Sequence, residues 1–391
     1  MGRQQSMNEP SGRGSKPPTH KLIAEVAGVH PSTVSRILRR APGPRRADFA
    51  ETEERVREVA KRLGYRPDLT AASLRTRRSM VLGVLLPKLH DVVLATILSG
   101  IDTAAFGLGY QTIVTNTLGA PERRRERVEM LLSRRVDGLV IGDPTLDEKI
   151  YEELSRSRTP HVLVNHRAEG HVSVTGNDAL GGRLVGEHLL AAGHREIGII
   201  AGPRYPTALD RVRGCVEAYE RAGVTVGRAQ IVHTDFDPQG GRRAAQELLT
   251  LPRRPTAIFA VNDSAAIGAM GALRDDGLVV GRDMALVGYN DIAIAQDLPI
   301  PLSSVHTPLR EMGETAARSL IDLLEGRTSG SVALQPRLVV RDSSSSAVPV
   351  TAPVTAPVTA PVTAPVTAPV TAPGTRGEPG EKDGWAAAPL K

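Results

Sequence analysis

Four polar side chains, Ser32, Thr33, Ser35 and Arg36, lie within five residues and interleave with Val34, Ile37 and Leu38 at helical spacing. A helix of this pattern hides an aliphatic stripe and presents hydroxyls and a guanidinium on its other side. Such groups donate to phosphate oxygens, and an arginine can fork onto the O6 and N7 atoms of guanine. A second chemistry lies further along. Asn165, Asn262 and Asn290 each follow an apolar run that reads as a strand. Their amides both donate and accept, which suits the hydroxyls of a sugar. An Asn in that position can equally make a turn or cap a helix.

The polar helix needs a rigid bracket. Leu22, Ile23, Val26 and Ala27 occupy i, i+1, i+4 and i+5, so the spacing predicts a first helix with those four buried. Gly28 follows where a left-handed residue would end it, and Val29 fills the corner. Pro31 suits the first turn of the next helix, where its missing N–H has no partner to lose. Two helices braced in this way have the geometry that enters a DNA major groove. A loop over 39–48 carries Arg45 and Arg46 at its tip. A third helix is predicted over 51–63, with Val56, Val59, Ala60 and Leu63 inward and Gly64 ending it. Three short helices bury little, so this head should be only marginally stable alone. Residues 68–75 form a short amphipathic segment that Asp68 can cap, too short to hold a helix by itself in water.

Charge supports the same reading. Residues 1–80 hold 17 Lys and Arg against 8 Asp and Glu, while the rest of the 391-residue chain is slightly acidic. The overall +6 therefore belongs to the first fifth of the chain, which argues for a polyanion partner at that end. Residues 1–18 are rich in Gly, Ser, Pro and Arg and have no apolar core, so a disordered basic arm is expected and not a signal peptide. The single cysteine, Cys215, excludes an intramolecular disulfide and fits a reducing compartment. No apolar run approaches the length of a membrane span. A cytoplasmic protein with no membrane partner is the expectation.

From residue 79 onward apolar strand-like runs alternate with helical stretches. Continuous Val, Ile and Leu strands between helices mean parallel sheets covered on both faces. There are too many for one small sheet. Two doubly wound lobes are expected, with a ligand between them at the carboxyl ends of their strands.

The block Ala27-Gly28-Val29 with Thr33-Val34-Ser35-Arg36 resembles the helix-turn-helix of the lactose-repressor (LacI) family of bacterial transcription regulators. Arg135-Val136-Asp137-Gly138, Asn177-Asp178, Gly193-His194-Arg195, Arg211 with Gly214, Val261-Asn262-Asp263 and Gly288-Tyr289-Asn290-Asp291 extend the resemblance almost unbroken over residues 19–343. It implies an all-α helix-turn-helix head over 19–66 and a hinge helix over 67–78. An α/β effector domain of two doubly wound parallel-sheet lobes, periplasmic-binding-protein-like, would follow over 79–343. The first lobe would be 80–175 plus 304–333, and the second 176–303 plus 334–343. Pro31, Ser32 and Arg36 would read bases, Thr33 and Ser35 would touch phosphate, and Leu74 would wedge into the minor groove when two hinges pair. Asp91, Arg211 and Phe236 would join the three asparagines around the effector. Four departures stand out. Leu22 replaces the acid of the first helix, so no capping box can form. His30 replaces the usual capping serine, which should weaken the start of the second helix. Asn290 replaces a frequent aspartate, and Asp91-Val92-Val93 replaces an Asn-Pro-Phe.

Other chemistries lack their motifs. His188 and His194 are six residues apart, not the i, i+4 pairing of a zinc helix, so no metal and no cofactor is expected. No Gly-x-Ser-x-Gly, phosphate loop or dinucleotide fingerprint follows a strand, which argues against an enzyme. The Gly181-Gly182 pair is expected to let a helix pack closely. Val-Thr-Ala-Pro repeats across 350–373 forbid helix and central strand, so 344–391 is expected to be a disordered spacer. The expected protein is a homodimeric repressor on double-stranded operator DNA, released by a small-molecule effector, a carbohydrate by preference. An activator or corepressor-dependent regulator of the same fold is the alternative, and a solute-binding protein a remoter one.

Overall fold

The computed structural model describes residues 18–38, 47–65, 78–144 and 148–344. The expected arm, the Arg45–Arg46 tip, nearly all of the hinge with Leu74, and the repeat tail lie outside them.

The head has three helices: α1 (His20–Ala27), α2 (Pro31–Leu38) and α3 (Ala47–Arg62). Thr19 Oγ1 accepts from the Leu22 N–H at 3.4 Å, and Gly28 ends α1 at φ 66°, a conformation that costs other residues a Cβ clash. Ile23, Ala24 and Ala27 meet Val34 and Ile37 of α2 and Val56, Val59 and Ala60 of α3 in one small core. Leu22 and Val26, expected inside, are 41% and 44% exposed. Their stripe lies beside the buried one, and a core of three short helices is too narrow to cover both. α3 also begins four residues earlier than expected. The start of α2 is better served than its sequence predicts: His30 Nδ1 accepts from the Ser32 N–H at 3.3 Å, taking the role of the absent serine. Arg55 and Arg57 of α3 donate to the carbonyls of Ala27 and Ile37, at the carboxyl ends of α1 and α2. Cations are favoured there by the orphan carbonyls of a helix end.

Beyond the head, strands and helices alternate. Lobe 1 holds β1 (Val81–Leu86), α4 (Val92–Gly107), β2 (Gln111–Asn116), α5 (Pro121–Ser133), β3 (Gly138–Ile141), α6 (Glu148–Arg156), β4 (His161–Val164) and β5 (Ser173–Gly176). Lobe 2 holds α7 (Asp178–Ala191), β6 (Ile197–Ile200), α8 (Pro206–Arg221), β7 (Ile231–Val232), α9 (Pro238–Leu249), β8 (Ala257–Ala260), α10 (Asp263–Asp275), β9 (Ala285–Asn290) and β10 (Ser303–His306). The chain then returns for α11 (Leu309–Leu324) and β11 (Val332–Leu334) in lobe 1, and ends with β12 (Arg337–Val339) in lobe 2. The sheet orders are β11-β5-β4-β3-β1-β2 and β12-β10-β9-β8-β6-β7, parallel except where β12 runs against β10.

Two doubly wound lobes are thus present, with two boundaries to correct. Leu334 of β11 pairs with Gly176 of β5, so these two belong to the first lobe and not to the second. β10 pairs with β9, so residues 304–306 belong to the second lobe and not to the first. The strand reads Ser-Ser-Val-His, too polar to be recognised as buried, because its serines satisfy the neighbouring chain: Ser303 Oγ donates to the Arg341 carbonyl. The Gly181-Gly182 pair does allow close approach. A Cβ at Gly182 would meet the Arg211 carbonyl oxygen, and one at Gly214 would meet that of Ala179. α7 and α8 touch backbone to backbone as a result, which sets the position of Arg211.

Candidate nucleic-acid interface and ligand cleft

On α2 the apolar face closes the head core, with Val34 and Ile37 buried. Pro31, Ser32 and Arg36 are exposed, and Thr33 and Ser35 are half-buried at the edges of the same face. The arrangement offers a guanidinium and hydroxyls from one rigid helix, the form in which a major groove can be read.

Between the lobes is a cavity of about 400 Å³, the size of one small ligand. Asp91, Asn165, Arg211, Phe236, Asn262 and Asn290 all line it. Five of them lie at or just after the carboxyl ends of strands in the two sheets, where a doubly wound fold leaves its crevice, and Arg211 reaches in from the first turns of helix α8. Their engagements differ. Asp91 Oδ1 caps α4, accepting from the Val93 N–H at 2.9 Å and the Leu94 N–H at 3.3 Å. Asn262 caps α10 through Oδ1 and donates from Nδ2 to the Phe236 carbonyl at 3.1 Å. Its amide therefore works first as a structural clip. Asn165 and Asn290 sit at φ 59° and 100°, left-handed conformations that cost energy away from glycine. Asn290 is 4% exposed, yet its Oδ1 accepts no hydrogen bond among the described residues. A buried acceptor with no donor is costly, and a ligand hydroxyl or N–H would satisfy it. Phe236 has Tyr205 beside it, ring centroids 6.1 Å apart and tilted.

Arg211 is expected among the effector contacts, but much of its guanidinium is held by protein. Nε donates to Asp178 Oδ1 at 2.7 Å, Nη1 donates to the Val261 carbonyl at 2.8 Å, and the group stacks 3.9 Å above the Tyr289 ring. Burial pushes the Asp178 carboxyl up, and the Arg211 charge opposes that push. The reason is dielectric: a nearly buried arginine needs a counter-ion of its own. Lobe 1 repeats the device. Asp143 is wholly buried, and its Oδ2 accepts from Thr117 Oγ1 at 2.6 Å and from Arg124 Nε at 3.2 Å. Asp143, Arg124 and Tyr205 line the cleft and were missed. Asp143 follows β3 just as Asn165 follows β4, so the rule that found one would have found the other. Nothing local in the sequence marks Arg124, on an arginine-rich helix, or the pairing of Asp178 with Arg211.

Next to Asn165, His166 is 2% exposed. Its Nδ1 is bonded to the Val164 carbonyl at 3.1 Å, so Nδ1 carries the proton and Nε2 is left to accept from the Tyr151 hydroxyl at 3.2 Å. Burial pushes its pKa down to about 4. The unfolded chain then binds the extra proton first, so His166 withdraws stability as pH falls from about 6.5 to 4, by up to about 3 kcal/mol. Asp263, in lobe 2, works the other way. Burial raises its carboxyl to about 7, so the folded state holds the proton and stability is lost as pH rises through that window. Melting curves between pH 7.5 and 4.5 should therefore show His166→Gln less acid-sensitive than the parent. An unaltered pH slope would remove this role.

A helix-turn-helix head joined to a two-lobed domain with a ligand-sized cleft defines a DNA-binding transcription regulator. Known proteins agree. The model of the lacI family of bacterial regulatory proteins matches residues 21–68, and that of a periplasmic binding protein-like domain matches 187–344. The HTH-type transcriptional repressor PurR of Klebsiella pneumoniae (strain 342) is 32% identical over 332 residues, 83% of this chain and 96% of that protein. The lac repressor dimer bound to operator and the anti-inducer ONPF has a TM-score of 0.73 at 30% identity, covering 84% of this chain and 99% of that one. The transcriptional regulator CelR–cellobiose complex has a TM-score of 0.64 at 29% identity, covering 83% and 99%. The chain belongs to the LacI family of bacterial regulatory proteins. No helix of the described residues is long and apolar enough to cross a membrane.

Proposed function

We propose that this chain is a cytoplasmic, homodimeric transcriptional repressor whose grip on operator DNA is controlled by a neutral small molecule, by preference a sugar, bound between the lobes. The observation that carries the reading is convergence: six side chains spread from residue 91 to residue 290 line one cavity of ligand size. The amides of Asn165 and Asn290, the free edge of Arg211 and the Tyr205–Phe236 pair would hold hydroxyls and an apolar ring face. Among the solved relatives, one structure holds cellobiose and another ribose. A flat heterocycle between the aromatic pair is the second reading.

A thermal-shift panel on the whole chain, with sugars in one arm and purine bases in the other, separates the two. A saturable rise in melting temperature with a sugar, lost in Asn290→Gly, is the expected outcome, since glycine keeps the backbone at φ 100° and removes only the unpartnered amide. A response to bases alone would transfer the site to the second reading, and a rise that survives Asn290→Gly would place the ligand elsewhere. Under this proposal Pro31, Ser32 and Arg36 read bases, Thr33 and Ser35 hold phosphate, and Leu74 opens a base step. Leu74→Ala should then reduce both operator affinity and operator bending. Bending that stays at the parent value would exclude the wedge.

A further inference from the structure

The lobes are joined by more than their three connecting strands. Arg167 lies in the lobe 1 loop after β4, two residues beyond Asn165. Its Nη1 stands 2.5 Å from Oδ2 of Asp210 on helix α8 of lobe 2, the residue before Arg211. Among the ion pairs of the described residues, those at Arg124, Arg211 and Arg341 each stay within a lobe, whereas this one crosses the cleft. Asp210 is shared. Its Oδ1 takes Nη2 of Arg213 at 2.8 Å, from within its own helix. The Asp210 side chain is 10% exposed and that of Arg167 is 45% exposed.

The placement of this pair matters more than its strength. Each member is one or two residues from a side chain that lines the cleft, and both sit on stiff supports. Asn165 fixes the lobe 1 turn in a left-handed conformation, and the glycine contacts of α7 and α8 fix the lobe 2 helix. Arg213 keeps the Asp210 carboxylate compensated and in place when Arg167 withdraws, so the contact can break and re-form without stranding a buried charge.

We propose that Arg167 and Asp210 form a latch across the cleft that holds the lobes together before any ligand arrives and so sets how readily the cleft closes on its effector. The idea rests on the ligand-cleft reading but extends it, because it assigns the resting balance between open and closed lobes to a named pair outside the cavity. A ligand bound between Asn165 and Arg211 then completes a closure that the ion pair has begun, and less of its binding energy goes into bringing the lobes together. Half-exposed as Arg167 is, the latch weakens as salt rises.

The test uses the whole chain without ligand. Hydrogen–deuterium exchange is followed at the two rims, residues 165–172 and 203–211, together with the radius of gyration from small-angle scattering. Arg167→Glu should speed exchange at both rims by about fivefold or more, the lower end of typical coupling between sites, and enlarge the radius of gyration. Arg167→Lys should keep most of the protection, and 1 M NaCl on the parent should reproduce the loss. Arg221→Glu is the control, since it makes the same charge change on α8 but pairs with Glu187 inside lobe 2, away from Asp210, and should leave the lobe 1 rim at the parent rate. Parent-like exchange in Arg167→Glu, or an equal lobe 1 response to Arg221→Glu, overturns the latch. Because no effector is needed, that failure would leave the cleft reading to stand or fall on the thermal-shift panel.

Discussion

Asp178→Ala should destabilise lobe 2 by about 3–5 kcal/mol, because it leaves the Arg211 guanidinium buried without its counter-ion. The pair is almost wholly enclosed, with side chains 5% and 2% exposed for Arg211 and Asp178. Water can meet only the cleft edge of Arg211 and hardly reaches the side turned to Asp178, so it makes good little of the loss. The remaining bond to the Val261 carbonyl and the stacking on Tyr289 are neutral contacts and cannot replace a carboxylate. Against a domain stability of roughly 5–15 kcal/mol, a cost of this size approaches unfolding of the lobe. Urea denaturation of the full chain measures it. The double replacement Asp178→Leu with Arg211→Met should recover much of the loss, since removing both charges removes the stranded one. A single-variant cost below about 1 kcal/mol would mean that the pair is hydrated and that α8 is not held as described.

Arg36→Ala should lower operator affinity by about 10–100-fold and relax sequence preference at one base pair of each half-site. Val34 and Ile37 lock the helix from beneath, so removing the exposed arginine leaves the scaffold intact. A phosphate contact makes a different forecast. Affinity would then fall evenly over all sequences, and the salt slope would drop by about one. Binding titrations on a set of single-base variants at several salt concentrations separate the two, and an even loss would take base reading away from Arg36.

Much of the molecule was legible because its elements carry strong local marks. The turn at Gly28, the proline that opens α2 and the aliphatic strands of both lobes each declare themselves within a few residues. What failed needed distance. A helical wheel gave α1 a face but not its width, so Leu22 and Val26 were placed inside when the three-helix core ends beside them. β10 was hidden because Ser303 and Ser304 are paid for in hydrogen bonds to residues some 40 positions away. The cleft followed the rule that ligands gather after strands, which found Asn165, Asn262 and Asn290 but gave no sign that Asn262 is tied up as a helix cap. The partners Asp178 and Asp143 are ordinary carboxylates in sequence. Only folding brings each against its arginine.

The central claim is that two copies of the head grip a specific duplex. Selection of the full-length chain against a random duplex library at about 150 mM salt tests it most directly. The account predicts enrichment of a near-palindrome with half-sites about 10 base pairs apart, centre to centre, bound at least about a thousandfold more tightly than random duplex. A library that emerges unenriched, with every sequence held equally and released together as salt rises, would contradict it.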